Sequence, residues 1–283
     1  MKIMHTISEL RTALDAERAE GRTVGLVPTM GALHAGHVQL LAAAVEATDV
    51  VVGSIFVNPL QFAPNEDLAN YPRMVDADAA KAEAVGVDYL FVPSDDEMYP
   101  EENWTSVSVR VITEDWEGES RPTHLGGVAT VVSKLFNIVG PCSGFFGEKD
   151  FQQLAMLQRM VRDLNMEAEV IGVPTVREDD GLAMSSRNLL LSPEHRAQAP
   201  IVQQGLQAGA KAIEAGERDP AAVAAVIREV ISSVSGTAGP DYVAVVDAAS
   251  LQVPETLSGE VRLLTGVKFG DTRLIDNIGV TIK

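Results

Sequence analysis

The sequence predicts an α/β protein: a Rossmann-like, doubly wound parallel sheet followed by a second, smaller α+β domain. Three observations lead there. Strand-like and helix-like patterns alternate through the first 175 residues, which is the signature of βαβ units. One segment, Asp49–Val57 (DVVVGSIFV), is a continuous β-branched and apolar run, as expected of a parallel strand buried on both faces. Beyond Gly181 the texture changes to Ala-rich helical stretches and then to strand-like ones.

Taken in order, Val24–Val27 is a short apolar run that enters Pro28–His37 (PTMGALHAGH), and a helical pattern continues to Ala47. The Asp49–Val57 strand follows, then a helix over Asp76–Val85 and strands over Asp88–Val92 and Val107–Ile112. Val128–Val139 reads as a helix, Gly144–Phe146 as a short strand, Phe151–Leu164 as an amphipathic helix and Glu169–Val173 as the closing strand. Pro174, Asp179, Asp180 and Gly181 then break the pattern. The boundary is therefore set between residues 1–175 and 176–283. In the second part Pro193–Ala215 and Asp219–Ser235 read as two helices, and Tyr242–Val246, Val261–Phe269 and Leu274–Ile282 as three antiparallel strands.

Composition narrows the function classes. Among 283 residues, 22 are Lys or Arg and 40 are Asp or Glu, giving a formal charge of −18. So acidic a chain lacks the clustered positive charge that nucleic acids and anionic membranes require, and any anion site must be built locally. Cys142 is the single cysteine, which excludes an intrachain disulfide and a cysteine-based zinc site. The N-terminal residues turn polar too soon for a signal peptide, and no apolar stretch approaches the roughly 18 residues of a membrane span. A soluble cytoplasmic protein is expected.

Three segments carry candidate chemistry. His34-Ala35-Gly36-His37, after Pro28-Thr29-Met30-Gly31, lies where a strand gives way to a helix. Histidines three apart share one helix face, and the unpaired amides and dipole of a helix N-terminus attract an anion there. Alone, the pair reads more readily as a polar helix cap, and a metal site would need a third ligand that the neighbouring sequence lacks. Gly147-Glu148-Lys149-Asp150 opens the Phe151 helix, and its lysine can meet phosphate as a mobile point charge. Asp150 suits either a helix cap or a ribose or metal–phosphate contact. Met184-Ser185-Ser186-Arg187 lies in the break between the domains, where hydroxyls beside a guanidinium suit phosphate.

In this order the three segments resemble the HIGH-type nucleotidylyltransferase superfamily. Longer stretches narrow the likeness to the pantoate–β-alanine ligase family: Val27–His34, Ser54–Phe62, Phe146–Gln153, Asp180–Asn188 and Thr272–Asn277. The resemblance runs from about residue 2 to the C-terminus. It implies condensation of pantoate with β-alanine using ATP and Mg2+, through an enzyme-held pantoyl adenylate, with release of pyrophosphate and AMP.

The resemblance assigns ATP binding to Met30, Gly31, Ala32, Leu33, His34, Ala35, Gly36 and His37, to Gly147, Glu148, Lys149 and Asp150, to Val176, and to Met184, Ser185, Ser186 and Arg187. His37, His34 and Lys149 become the catalytic candidates, with His37 either donating a proton or stabilising departing pyrophosphate. Gln61 and Gln153 match pantoate ligands, and Gln61 also the β-alanine position. Asn58, Arg121 and His124 are second-tier candidates around the acyl pocket. The smaller domain is expected to act as a lid, and the assembly to be a homodimer. No protein metal ligands are assigned.

Departures from the family pattern stand at Leu125 and Gly126, where Phe and Arg are common, and at Thr265–Gly270. An acidic stretch that helps hold magnesium in some members is reduced to Asp76 and Asp78. Two rivals remain: a nucleotidyltransferase acting on a phosphorylated alcohol, against which the uncharged Gln61 and Gln153 speak, and a catalytically silent nucleotide-binding regulator.

Overall fold

A computed structural model of the chain describes residues 1–63, 68, 71–235 and 239–283. It divides into two compact units: Met1–Glu148 with Met156–Pro174, and Lys149–Ala155 with Thr175–Lys283.

The first unit contains six strands, β1 (Lys2–Met4), β2 (Val24–Thr29), β3 (Val50–Ile55), β4 (Tyr89–Phe91), β5 (Cys142–Gly147) and β6 (Ala168–Val173). They form one sheet in the order β1-β4-β3-β2-β5-β6, and every pairing is parallel. The helices are α1 (Ile7–Ala19), α2 (Ala35–Ala47), α3 (Val75–Val85), the short α4 (Asp95–Met98) and α5 (Glu117–Ser120), α6 (His124–Val139) and α7 (Phe151–Asp163). All six residues of β3 are buried, as its unbroken apolar run requires. Val27, Val51, Ile55, Leu90 and Phe145 from the sheet pack with Leu41 and Ala44 of α2 and Ala79 and Ala82 of α3.

After β2 the chain builds outward through β3 and β4, then returns to place β5 on the other side of β2. Strand order therefore reverses between β2 and β5, and ligands of such sheets bind beyond the carboxyl ends of the strands at that point. The loop after β2 ends at His34, with His37 in the first turn of α2; β5 ends at Gly147 and Glu148 follows it.

In the second unit α8 (Pro193–Gln198), α9 (Ile201–Glu214) and α10 (Pro220–Ile231) accompany an antiparallel sheet, β7 (Pro240–Asp247), β8 (Gly259–Phe269) and β9 (Thr272–Ile282), in the order β7-β8-β9. Leu206 and Ile213 of α9 and Val223, Ile227 and Ile231 of α10 form a core with Val243, Val245, Leu263 and Val267 of the sheet.

Several sequence expectations differ from the structure. Val107–Ile112 is not a strand: its amides turn elsewhere, Val107 N donating to Thr130 Oγ1 at 3.0 Å, Ile112 N closing a turn on Arg110 O at 2.9 Å, and Val111 adopting φ 71°. Val109 and Ile112 are buried all the same, so the apolar alternation reflects packing without a ladder. The helix expected over Pro193–Ala215 is two, because Pro200 lacks an N–H and interrupts the ladder. β1 and α1 lie outside the elements expected from the sequence. The latter carries a legible start signal, a capping box in which Thr6 and Glu9 satisfy each other's backbone amides.

Candidate active site

In the first unit the site begins with the turn that leaves β2. Thr29 Oγ1 donates to Ser54 O at 2.7 Å and accepts from Gly31 N at 3.1 Å. Gly31 and Ala32 are both left-handed, at φ 86° and 51°, a conformation that glycine accepts freely and alanine does not. The amides of Ala32 and Leu33 donate to the two carboxylate oxygens of Asp78, at 2.7 and 2.8 Å. Lys81 Nζ donates to Leu33 O at 2.5 Å.

The two histidines cap α2 reciprocally. His34 Nδ1 accepts from Gly36 N at 3.1 Å, and His37 Nδ1 accepts from His34 N at 3.3 Å. Their rings lie 4.1 Å apart, tilted by 36°. Ring nitrogens thus take two of the amides at this helix start, those of His34 and Gly36. Gly36 is needed for the cap itself: a Cβ there would lie 2.9 Å from His34 Cε1. An Nδ1 that accepts from a backbone amide carries no proton, so the proton of each neutral ring sits on Nε2. The pair is therefore two N–H donors at the positive end of a helix.

Gln61 and Asn58 follow β3 in a one-turn 3-10 helix, Pro59–Gln61, which Asn58 caps. Both side chains are buried, Asn58 at 1% and Gln61 at 6% exposure. Tyr99 Oη donates to Asn58 Oδ1 at 2.8 Å. Asn58 Nδ2 donates to Gly127 O at 3.1 Å and to Gln61 Oε1 at 3.2 Å. Gln61 Nε2 then reaches Met30 Sδ at 2.7 Å. This chain fixes which end of the Gln61 amide is oxygen and ties it to the histidine loop. Burial, and secondarily Asp95, pushes the Tyr99 phenol up to about 12, so it stays a donor. Asn58, a candidate substrate ligand from sequence, is engaged on both polar atoms within the protein. His124 Nδ1 meets the backbone oxygen of Gln61 at 3.1 Å, and Arg121 lies 4.0 Å from Glu117. Of the departures in this region, Leu125 is buried and Gly126 has room for a side chain.

In the second unit Lys149, Ser185 and Arg187 line one pocket with Asn188, Arg273 and Asp276. Lys149 lies 3.3 Å from the Asp150 carboxylate. Arg187 forms no ion pair among the described residues, whereas Arg273 is paired with Asp241 at 2.7 Å. The turn before this pocket is built by hydrogen bonds: Met184 N to Val176 O at 2.9 Å and Glu178 N to Leu182 O at 2.8 Å. Arg196 clasps Glu178 and Asp180 at 2.5 and 2.6 Å, and its hydrogen bond holds the Asp180 carboxyl below the usual range. The β9 residues Asp276 and Asn277 support the same region. Asp276 forms a bidentate pair with Arg177 at 2.6 and 2.9 Å, and Asn277 Nδ2 holds Lys149 O at 2.8 Å.

The candidate residues thus fall into two groups. Met30–His37, Asn58, Gln61, His124, Gly147 and Glu148 belong to the first unit; Lys149, Asp150, Gln153, Val176 and Met184–Arg187 belong to the second. Gln153, Val176, Met184 and Ser186 are not among the residues lining the Lys149 pocket. Sequence reasoning missed Tyr99, Lys81 and the supporting roles of Asp78 and Asn277. Their partners lie tens of residues away, so no local pattern announces them.

The Asp78 carboxylate is committed to the loop after β2 rather than to magnesium. Asp78, the buried member of the Asp76 and Asp78 pair, spends both oxygens on backbone amides. Among the described residues no group of three or more His, Cys, Asp or Glu could hold a metal ion. No helix among the described residues is long and apolar enough to cross a membrane.

Comparison with known proteins gives concordant results. The family model for pantoate-beta-alanine ligase matches residues 2–279. The pantothenate synthetase of Heliobacterium modesticaldum is 51% identical over all of both chains, and that of Moorella thermoacetica is 49% identical over 98% of each. Among solved structures, the pantothenate synthetase of Thermus thermophilus superposes with a TM-score of 0.92 at 45% identity, covering 98% of this chain and 99% of its own. The pantoate-beta-alanine ligase of Francisella tularensis, complexed with beta-gamma ATP and beta-alanine, reaches 0.76 at 32% identity, covering 98% and 97%.

Proposed function

The chain belongs to the pantoate-beta-alanine ligase family, and on that premise we propose how its residues divide an ATP-dependent, AMP-forming condensation. The substrates are (R)-pantoate and β-alanine, and the product is pantothenate, a coenzyme A precursor. The pantoate carboxylate attacks the α-phosphorus of ATP, the bond to the bridging oxygen breaks, and pyrophosphate leaves. The β-alanine amine then attacks the acyl carbon of the pantoyl adenylate, loses a proton and displaces AMP.

The observation that carries this reading is the hydrogen-bonded amide of Gln61, held by Asn58 and Met30 next to the histidine loop. A neutral amide can bind a hydroxyl and a carboxylate without quenching the nucleophile as a tight ion pair would. A phosphorylated alcohol, the substrate of a nucleotidyltransferase, would call for a cation there.

With no protein nucleophile in the scheme, rate enhancement comes from positioning and charge stabilisation. His34 and His37 supply Nε2–H donors to phosphate oxygens, and Gly31, Ala32, Leu33, Ala35 and Gly36 supply the close backbone. Lys149 and Arg187 supply positive charge to the leaving pyrophosphate, with Ser185 and Ser186 as hydroxyl donors. Met30, Gly147, Glu148, Asp150, Val176 and Met184 complete the nucleotide contacts, and Gln153 shares pantoate with Gln61. Asn58 orients Gln61. Magnesium enters as part of the ATP substrate, carried by its phosphates. The division 1–175 and 176–283, with the smaller part closing as a lid, the homodimer and a cytoplasmic location are further parts of this reading and rest on the family resemblance.

The test is AMP formation with pantoate and β-alanine each omitted in turn. AMP should appear only with both present, one per amide formed. Absence of AMP with ATP, magnesium and both substrates would overturn the reading.

A further inference from the structure

A buried carboxylate that forms no ion pair among the described residues needs a structural reason. Asp78 is fully buried, at 0% exposure, and its Oδ1 and Oδ2 accept from Leu33 N and Ala32 N. Carboxylate–amide bonds of this length are charge-assisted and stronger than neutral ones. One helical turn along α3, Lys81 takes the carbonyl of the same residue, Leu33, so α3 grips both polar groups of one peptide segment. The segment is the one least able to hold its shape alone. Ala32 sits at φ 51°, a sparsely occupied region for a residue with a Cβ, which persists only where its surroundings enforce it. Next in the chain is His34, whose amide and ring complete the reciprocal cap with Gly36 and His37.

We propose that Asp78 is a positioning residue for adenylation: it holds the left-handed 31–33 turn, and through it sets the His34–His37 cap that presents two neutral Nε2–H donors. This deepens the functional reading above and rests on it for the identity of the reaction, though the clamp itself is a property of the loop. It gives Asp78, which the sequence shows only as a residue left from an acidic stretch, a role on the loop.

The chemistry predicts a specific failure in Asp78→Asn. One oxygen becomes an NH2 facing a backbone N–H, so one of the two amides loses its acceptor while size is kept. The pyrophosphate-forming step, with ATP and pantoate saturating, should slow by about 10²-fold, the cost of roughly ångström-scale misplacement of catalytic groups. The KM for ATP should change little. Nitrogen-15 imidazole spectra should show Nε2–H tautomers for both histidines in the unaltered protein and loss of that signature in the variant. A merely structural role for Asp78 would leave the tautomers alone.

Unchanged tautomers and an unchanged rate would overturn the proposal. So would recovery of the variant by raised magnesium, which would mark Asp78 as acting on the metal. Should the variant fail to fold, hydrogen exchange in the unaltered protein decides: the Ala32 and Leu33 amides should be strongly protected, and exchange at open-loop rates would refute the clamp. The exchange and tautomer measurements need no turnover, so failure of the clamp and failure of the ligase reading are distinguishable.

Discussion

His34 and His37 each use Nδ1 to accept a backbone amide, which leaves Nε2 as the ring nitrogen that can face a ligand. Sequence alone offers two histidines at a helix start and leaves open whether they act as cations, metal ligands or caps. The answer depends on ring rotation, which no spacing rule encodes. In the proposed reaction Lys149 and Arg187 supply the positive charge that meets pyrophosphate. Lys149→Ala should therefore lower single-turnover adenylation by about 10²–10³-fold, as removal of one preorganised donor commonly does, while circular dichroism and melting stay near those of the parent. A loss under tenfold would remove Lys149 from the catalytic set. Asp78 and Asn277 illustrate the limit of residue-level reading. Each is an ordinary polar side chain in the sequence, and its partner lies 45 or more residues away.

At the scale of elements, β3 was legible because burial on both faces leaves an unbroken apolar run, whereas the three-residue, largely exposed β1 offers no such run. Val107–Ile112 misled because alternation reports burial, and burial was met by packing without ladder hydrogen bonds. Pro200 shows the converse, a local signal that outranks the Ala-rich helical texture around it. The turn from Val176 to Met184 reads as a polar break, yet it is an ordered hairpin-like segment bridged between Arg177 and Ala183 and clasped by Arg196. This gives a pH dependence with a definite sign. The Asp180 carboxyl is lowered below its usual 3.8, chiefly by the Arg196 hydrogen bond. Its contribution is therefore fully present above pH 3.8 and fades as pH falls through the lowered value. The pair is well exposed, so the effect on global stability should stay under about 1 kcal/mol. Locally, hydrogen exchange across 176–190 should quicken below pH 3.8 relative to an internal reference, and Arg196→Ala should show the faster exchange already at neutral pH. Equal exchange in parent and variant at pH 7 would show that the clasp does not hold the turn.

For the whole molecule, the second unit's long segment begins at Thr175. The grouping of Lys149–Ala155 with that unit was not legible, since those residues open a helix whose remainder belongs to the first. The acidic balance of −18 constrains partners more than fold, and it leaves phosphate binding to a few placed cations. The central claim is that activation of pantoate by ATP precedes and does not require the amine. Rapid-quench measurement of pyrophosphate from ATP and pantoate, with β-alanine absent, tests it most directly. A burst approaching about one equivalent per chain is expected, followed by a stall because the mixed anhydride is shielded from water, with turnover resuming on addition of β-alanine. Pyrophosphate that appears only when β-alanine is present would contradict it.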